Sequence, residues 1–282
     1  MDFISDDLIV THDLDIKPKQ ESFFTHIHDK HEILCFVSGK ADFVVEGNTY
    51  KLKPGCIVIA RIAESHKITI KSDEPYERYV VNFSPDYFLK CGFTPDIFKA
   101  FDQRKIGERN IYYPDELSGI YPIEFFSHTF EDSCNNNREN VFKARLATLL
   151  CSINTAFENE PKISGGRFTD NRLIDYINRN LYEDITLEDI SKKVHLSVSQ
   201  MNRNFKKLTG STVHNYIISK RLIAAQIMIN EGKSAAEACH LSGFKDYSSF
   251  FRIYKKRFGT APTSVSKAVP DSKKPYKMVF MG

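Results

Sequence analysis

The chain has 282 residues, of which 41% are apolar and 27% are charged, and its formal net charge is +3. These values are ordinary for a globular protein of one or two domains. No apolar run approaches the roughly 20 residues that span a bilayer, and no signal peptide is evident. We therefore expect a cytoplasmic protein without membrane contact. The six cysteines are scattered singly, with no Cys-x-x-Cys pair, which favours reduced thiols over a disulfide framework.

Residues 20–84 have the pattern of short β-strands. Apolar runs at 33–37, 42–45 and 56–59 are separated by turn sequences that each contain glycine. Turn signals at a spacing of roughly ten residues are typical of small antiparallel sheets. The sequence therefore predicts a β-sandwich or β-barrel for this part of the chain.

A helical segment is predicted at 111–160. A short helix from about Pro122 to Phe130 precedes a loop at 135–137, and a longer helix follows. The apolar residues of the longer helix recur at helical spacing: Phe142, Leu146, Leu149, Leu150, Ile153 and Phe157. We expect this segment to form a dimer interface through Leu146, Leu150, Ile153 and Phe157. The alternative is that the same stripe packs into its own domain.

The remaining chain is predicted to be helical in short pieces. A polar stretch at 158–166, with a proline and paired glycines, marks the linker before it. The predicted helix N-caps are Thr169 or Asp170, Thr186 and Ser197. Three further helices are predicted to begin at Thr212, Ser234 and Asp246. The predicted helix stops are Gly210, Gly232 and Gly259.

Charge is distributed unequally between the two parts. Residues 166–282 contain 20 Lys and Arg against 10 Asp and Glu, a net charge of +10, whereas residues 1–165 contain 19 against 26, a net charge of −7. A basic half beside an acidic half suggests that the basic half meets phosphates. A merely solvated basic surface is the alternative.

Two segments of the basic part repeat one another 49 residues apart: Arg-x-Phe-Lys-Lys-x-x-Gly at 203–210 and Arg-x-Tyr-Lys-Lys-x-x-Gly at 252–259. Each segment ends a predicted helix–turn–helix pattern, and a 19-residue helix from Thr212 to Asn230 connects them. At 1.5 Å per residue this helix is about 28 Å long, close to the roughly 34 Å between major-groove segments on one face of DNA. Two units at matched spacing predict two helices laid into DNA, with a generic helical bundle as the alternative.

The second helix of each unit alternates inward and outward residues. The residues predicted to point outward are Ser199, Gln200, Asn202, Arg203, Lys206 and Lys207 in the first unit, and Tyr247, Ser248, Phe251, Arg252, Lys255 and Lys256 in the second. Arginine and asparagine side chains can read guanine and adenine edges with two hydrogen bonds, whereas lysine near a helix end suits phosphate.

Residues 168–266 resemble the DNA-binding domain of the AraC/XylS family of transcription regulators. The residues that carry the resemblance are Tyr216, Arg221-Leu222-x-x-Ala225, Gly243-Phe244, Phe250, Arg252 and the run from Lys255 to Pro262. The resemblance implies promoter DNA as the partner, RNA polymerase as a second partner if the protein is an activator, and base contacts from the outward residues above. Phe251 departs from the family pattern, which usually has a small polar residue there.

The spacing of His26, His28 and Glu32 resembles the first cupin motif, and His66 lies at the spacing of the second. In metal-binding cupins three histidines and one carboxylate hold a divalent ion. The proline, glycine and asparagine of the second motif are replaced here by Arg61, Ala63 and Ile70. We therefore favour an effector pocket that uses these four polar residues without a cofactor. A bound metal and purely structural hydrogen bonding are the alternatives.

Together these features predict an α+β chain. Residues 1–110 would form a cupin-like β-barrel that senses an effector, with the helical dimerisation segment at 111–160 and a linker at 161–167. Residues 168–267 would form an all-α domain with two helix–turn–helix units, followed by a tail at 268–282. The predicted function is that of a homodimeric DNA-binding transcription regulator controlled by a small molecule, with a carbohydrate as the leading guess. The alternative is a metal-binding cupin enzyme with an accessory DNA-binding domain.

Overall fold

A computed structural model describes residues 3–132, 137–159, 166–167, 172–264 and 279–280. Most of the predicted linker and tail lie outside these residues, as do Thr169, Asp170 and two of the three asparagines of the predicted loop at 135–137. Among the described residues, no helix is both long enough and apolar enough to pass through a membrane.

The chain divides into two compact units. The first consists of Met1–Phe23, Lys30–Ile62 and Ile68–Arg167, and the second of Phe24–Asp29, Ala63–Lys67 and Phe168–Gly282.

The strands are β1 (Phe3–Ile4), β2 (Leu8–Asp15), β3 (His26–Ile27), β4 (His31–Ser38), β5 (Ala41–Val45), β6 (Asn48–Lys51), β7 (Ile57–Ala60), β8 (His66–Ile70), β9 (Tyr76–Phe83), β10 (Ile111–Tyr112), β11 (Gly166–Arg167) and β12 (Val279–Phe280). They form two six-stranded sheets, ordered β1-β2-β9-β4-β7-β10 and β11-β6-β5-β8-β3-β12. The predicted antiparallel β-fold is confirmed, since β4, β5 and β7 occupy the three apolar runs found in the sequence.

Strand β4 shows how the first sheet is buried on both faces. Ile33 and Cys35 belong to a cluster that includes helical side chains, whereas Leu34 and Phe36 belong to a second cluster with residues of β5 and β6. Successive side chains of a strand point to opposite faces, so one face of β4 packs on helices and the other faces the interior of the sandwich. A strand covered on both sides explains why residues 33–37 of β4 are all apolar rather than alternating.

The helices of the first unit are α1 (Pro85–Leu89), α2 (Lys99–Asp102), α3 (Pro122–Asp132) and α4 (Arg138–Glu158). The two helices predicted from the apolar periodicity are confirmed as α3 and α4. The apolar stripe of α4, however, is buried in the core of its own unit, where Leu146, Leu150 and Ile153 are at most 1% exposed.

This burial corrects the expected dimer interface. The stripe packs in the same cluster as apolar residues of β2, β4 and β9, so its side chains are already withdrawn from solvent. The physical reason is that the helix-facing side of the first sheet is itself apolar and needs cover. The alternative left open by the sequence, packing of the stripe into its own domain, is the one that the structure has.

Leu150→Ala should lower the free energy of unfolding by about 2–5 kcal/mol, because it removes buried methyl groups from a packed core and leaves a cavity. Thr148→Ala is the matched control, since Thr148 is exposed on the same helix, and it should change stability by less than about 0.5 kcal/mol. Urea denaturation of the full chain measures both. A Leu150→Ala protein as stable as the control would contradict the core assignment.

The helices of the second unit are α5 (Arg172–Arg179), α6 (Leu187–Lys193), α7 (Val198–Thr209), α8 (Val213–Asn230), α9 (Ala235–Leu241) and α10 (Tyr247–Phe258). The starts of α6 and α7 follow the predicted caps Thr186 and Ser197, and α8, α9 and α10 each begin one residue after the predicted first residue. The cap side chains that accept hydrogen bonds from backbone N–H groups of the first turn are Thr186, Ser197, Thr212, Ser234 and Asp246. Both α7 and α10 end on a left-handed glycine, Gly210 and Gly259, as the sequence indicates.

Candidate functional site

Helix α7 presents a polar and basic face. Met201 and Phe205 are fully buried, which fixes the rotation of the helix about its axis. The outward residues that are exposed, as predicted, are Ser199, Gln200, Arg203, Lys206 and Lys207. The start of the helix is held by Ser197, whose hydroxyl accepts from the backbone N–H of Gln200 at 3.2 Å. The geometry suits a recognition helix, because such helices contact base edges through their first turns.

Asn202 has a different role from the one predicted for it. Its side chain is half-buried, and its Oδ1 accepts from the backbone N–H of Val213 at 3.0 Å. The first N–H groups of a helix lack intrahelical partners, and Asn202 supplies one at the start of α8. This side chain therefore fastens α7 to α8, and the predicted base contact competes with that hydrogen bond.

Helix α10 presents the second outward face. Phe250 and Tyr254 are fully buried, and the predicted outward residues that are exposed are Tyr247, Ser248, Arg252, Lys255 and Lys256. Phe251 is half-buried at the edge of this face. The side chain of Arg252 folds back along the helix. Its Nε donates to the Ser248 carbonyl at 3.4 Å, and its Nη2 donates to the Ser249 hydroxyl at 3.3 Å.

Arg221 on α8 joins the two helix–turn–helix units. Its Nε donates to the carbonyl of Leu181 at 2.8 Å, Nη2 to that of Glu183 at 2.8 Å, and Nη1 to that of Gly243 at 2.7 Å. The first two carbonyls lie between α5 and α6, and the third lies in the turn between α9 and α10. One rigid guanidinium thus holds the turn of the second helix–turn–helix unit against the start of the first helix–turn–helix unit. Burial lowers the pKa of Arg221 from its ordinary value.

Gly243 is needed for this contact. Its φ is +86°, and a Cβ added there would lie 2.9 Å from the Tyr182 carbonyl oxygen and 3.0 Å from the Nε of Arg221. Only glycine both adopts this backbone conformation without strain and leaves room for the guanidinium. A second tie is the hydrogen bond from the Tyr254 hydroxyl to Oε1 of Gln226, which fastens α10 to α8.

Arg221→Lys should lower the free energy of unfolding by about 1–3 kcal/mol, because one ammonium group cannot serve three carbonyls fixed in different directions and leaves part-buried acceptors unpaired. Arg179→Lys is the matched control, since Arg179 is exposed at the end of α5. Urea denaturation followed by circular dichroism measures both. Equal stability of the two variants would contradict the clamp.

The four polar residues singled out in the N-terminal part come together. His26, His28, Glu32 and His66 each offer one ligand atom, and these atoms all lie within 4.8 Å of one another. His28, Glu32 and His66 are buried, and His26 is half-buried. Strands β3 and β8 bring two of them together, because His26 and His66 are direct partners in the antiparallel register.

Backbone carbonyls orient two of the imidazoles. Nδ1 of His26 donates to the Phe24 carbonyl at 2.9 Å, and Nδ1 of His66 donates to the Glu64 carbonyl at 2.8 Å. This arrangement leaves Nε2 of each ring as the acceptor, which is how protein ligands to metals are commonly held. The donor set of three imidazoles and one carboxylate fits Zn²⁺, Fe²⁺ or Mn²⁺. It also fits a ligand rich in hydroxyl groups.

Asn82 is a further polar residue at this place, and sequence reasoning missed it. It pairs directly with Glu32 across β9 and β4, and only 1% of its surface is exposed. Among the described residues its Oδ1 has no hydrogen-bond partner, which is costly for a buried group. The signal that could have found it is an asparagine in the otherwise apolar end of β9, on the same face as Val80 and Tyr76.

Comparison with known proteins agrees with this two-part organisation, a β-sandwich unit joined to two helix–turn–helix units. A profile described as an AraC-like ligand binding domain matches residues 16–104, and a helix-turn-helix domain profile matches residues 190–268. The two profiles together cover more than half of the chain.

Among relatives, the HTH-type transcriptional activator RhaS of Yersinia pseudotuberculosis is 24% identical over 270 residues, covering 88% of this chain and 91% of the relative. RhaS of Citrobacter koseri is 24% identical over 262 residues, covering 89% of this chain and 90% of the relative. Of solved structures, ToxT from Vibrio cholerae aligns with a TM-score of 0.40 at 13% identity, covering 93% of this chain and 97% of that one.

The protein therefore belongs to the class of transcription regulators that combine a ligand-binding domain with a DNA-binding domain. Its family is the AraC family. The alternative of a metal-dependent enzyme with an accessory DNA-binding domain finds no support in these relatives, which are transcriptional activators.

Proposed function

We propose that α7 and α10 are the two recognition helices of this regulator and that they enter successive major-groove segments of promoter DNA. The observation that carries the proposal is the matched pair of exposed basic faces, each rotated into place by a buried aromatic, at the two ends of one connecting helix. Helix α8 has 18 residues, or about 27 Å at 1.5 Å per residue. This length is close to the roughly 34 Å of one DNA turn.

Within these faces we assign two kinds of contact. Arg203, with Ser199 and Gln200, would read base edges, because it lies in the middle of the exposed face of α7. Lys206 and Lys207, like Lys255 and Lys256 of α10, would meet phosphates, since they lie in the last turns of their helices. Phosphate contacts position a protein on DNA without reading its sequence, whereas base contacts specify it.

Arg203→Ala should cost about 1–3 kcal/mol on the specific site and relax the preference at one base pair. Lys207→Ala should weaken binding to all sequences alike and reduce the slope of log affinity against log salt by about one. Fluorescence anisotropy with specific and random duplexes, over a range of salt concentrations, measures both effects. If the two variants lose affinity equally on random and specific DNA, the base-reading role of Arg203 is wrong.

For the N-terminal part of the chain we propose a small-molecule effector that binds at His26, His28, Glu32 and His66. Four polar groups gathered at one place beside an apolar interior are the usual composition of a small-molecule site. A carbohydrate suits them, because its hydroxyl groups can donate both to the Glu32 carboxylate and to the Nε2 acceptors of His26 and His66. A carboxylate ligand suits them less, since Glu32 would repel it.

A divalent metal ion at the same four residues is the second candidate, and the observation that favours it is the convergence of four ligand atoms within 4.8 Å. Three imidazoles and one carboxylate are a ligand set that suits Zn²⁺, Fe²⁺ or Mn²⁺. The histidines and Glu32 would then hold the ion, and the effector would meet it or displace it.

Signalling would work by a shift between arrangements of the chain. The linker sequence is polar and contains glycines, so it is unsuited to a rigid lever. An effector shifts such an equilibrium only by binding one arrangement more tightly, and a hundredfold preference corresponds to about 2.7 kcal/mol. Since the RhaS relatives are named activators, we propose positive regulation through RNA polymerase by a cytoplasmic homodimer.

Glu32→Gln should abolish or invert the effector response while leaving effector-free DNA affinity nearly unchanged, because the shape is kept and the charge is lost. A promoter reporter exposed to a panel of monosaccharides, together with metal analysis of the purified protein, measures the outcome. Glu74→Gln is the matched control, since Glu74 is exposed and pairs with Lys40. Normal sensing by Glu32→Gln would contradict the pocket, and loss of a stoichiometric metal on substitution would favour the metal candidate.

A further inference from the structure

The two recognition helices differ in chemistry at one matched position. The repeat aligns Asn202 of α7 with Phe251 of α10, and Val198 with Tyr247. In α7 the polar side chain at this position is occupied by its hydrogen bond to the start of α8. In α10 the same position carries an aromatic ring that reaches the surface.

Tyr247 and Phe251 form an apolar edge on the outward face of α10. They lie four residues apart, on one side of the helix, with ring centroids 6.3 Å apart. Tyr247 is 39% exposed and Phe251 is half-buried, although the core beneath them is already closed by Phe250 and Tyr254. Both rings lie in the first turns of α10, the part of a recognition helix that meets base edges.

The groups around this edge indicate what covers it. Arg252, Lys255 and Lys256 are exposed on the same face, so the surrounding charge matches a polyanion. The guanidinium of Arg252 is folded back onto Ser248 and Ser249, which leaves the aromatic edge as the forward part of the face. An apolar edge within a basic face fits DNA at a place where the major groove is itself apolar.

The major groove offers one apolar group, the C5-methyl of thymine. An aromatic ring pressed against the amino groups of adenine or cytosine would deprive them of water without replacing the hydrogen bonds, which costs free energy. We propose that Tyr247 and Phe251 select thymine through its methyl group, so that the second unit reads by apolar contact and the first by hydrogen bonds from Arg203. This inference rests on the proposed role of α10 as a recognition helix.

The test begins with the full-length protein and a random-sequence duplex library, from which bound sequences are selected and their consensus determined. Each thymine of the consensus is then replaced singly by deoxyuridine, which removes the methyl group and keeps the base pairing. At the position under Phe251 we expect about a fourfold loss of affinity, equivalent to about 0.8 kcal/mol for one buried methyl. At the other thymines we expect less than twofold.

Variants connect this loss to the ring. Phe251→Ala should bind thymine and deoxyuridine duplexes equally, whereas Phe251→Leu should keep a preference for thymine. Leu241→Ala is the matched control, because Leu241 is an exposed apolar residue, 49% accessible, on α9, and it should behave as the unmodified protein does. Since the deoxyuridine scan uses the unmodified protein, the result holds even if a variant folds poorly.

The outcomes separate the two proposals. A consensus whose affinity is unchanged by deoxyuridine at every thymine overturns the methyl-reading inference and leaves sequence-specific binding intact. Absence of any consensus overturns the proposed recognition role of α7 and α10, and the inference falls with it. A fourfold loss that persists in Phe251→Ala assigns the methyl contact to another residue and also overturns the inference.

Discussion

The packing of the helices in the second compact unit depends on one half-buried cation, the guanidinium of Arg221. Three backbone carbonyls from two different turns converge on it. A backbone carbonyl withdrawn from water must find a donor, and a planar group with five donors can serve all three in a fixed geometry. The guanidinium therefore fixes the turn between α9 and α10 against the segment between α5 and α6.

Buried polar groups also lie in the N-terminal β-sandwich. Glu32 and Asn82 face the interior of the sandwich as direct neighbours on β4 and β9, among apolar residues such as Leu34 and Ala60. Burying them lowers stability unless partners compensate. A ligand that bound only one arrangement of the chain would stabilise that arrangement.

The two units also differ in how their apolar surface is used. In the first unit the sheet is covered on both faces, and α4 gives its whole apolar stripe to that purpose. In the second compact unit, short helices enclose a small core that includes Phe250, Tyr254 and Leu222, and some aromatic surface stays exposed to solvent. Tyr247 is the exposed aromatic residue of α10, with 39% of its surface accessible.

Much of this protein is determined by local sequence. Caps such as Ser197 and Asp246, glycine stops and the apolar runs of the strands act through neighbouring backbone groups, so their effect is readable within a few residues. The repeated Arg-x-Phe/Tyr-Lys-Lys pattern identifies the two helix–turn–helix units for the same reason.

Only the tertiary structure decides which of several partners a side chain takes. Asn202 bonds to Val213 rather than pointing outward, Asn82 lies beside Glu32, and the α4 stripe covers its own sheet rather than a second subunit. Each of these contacts depends on atoms that folding brings together from different parts of the chain. A local sequence pattern does not show which of the possible partners a side chain will contact.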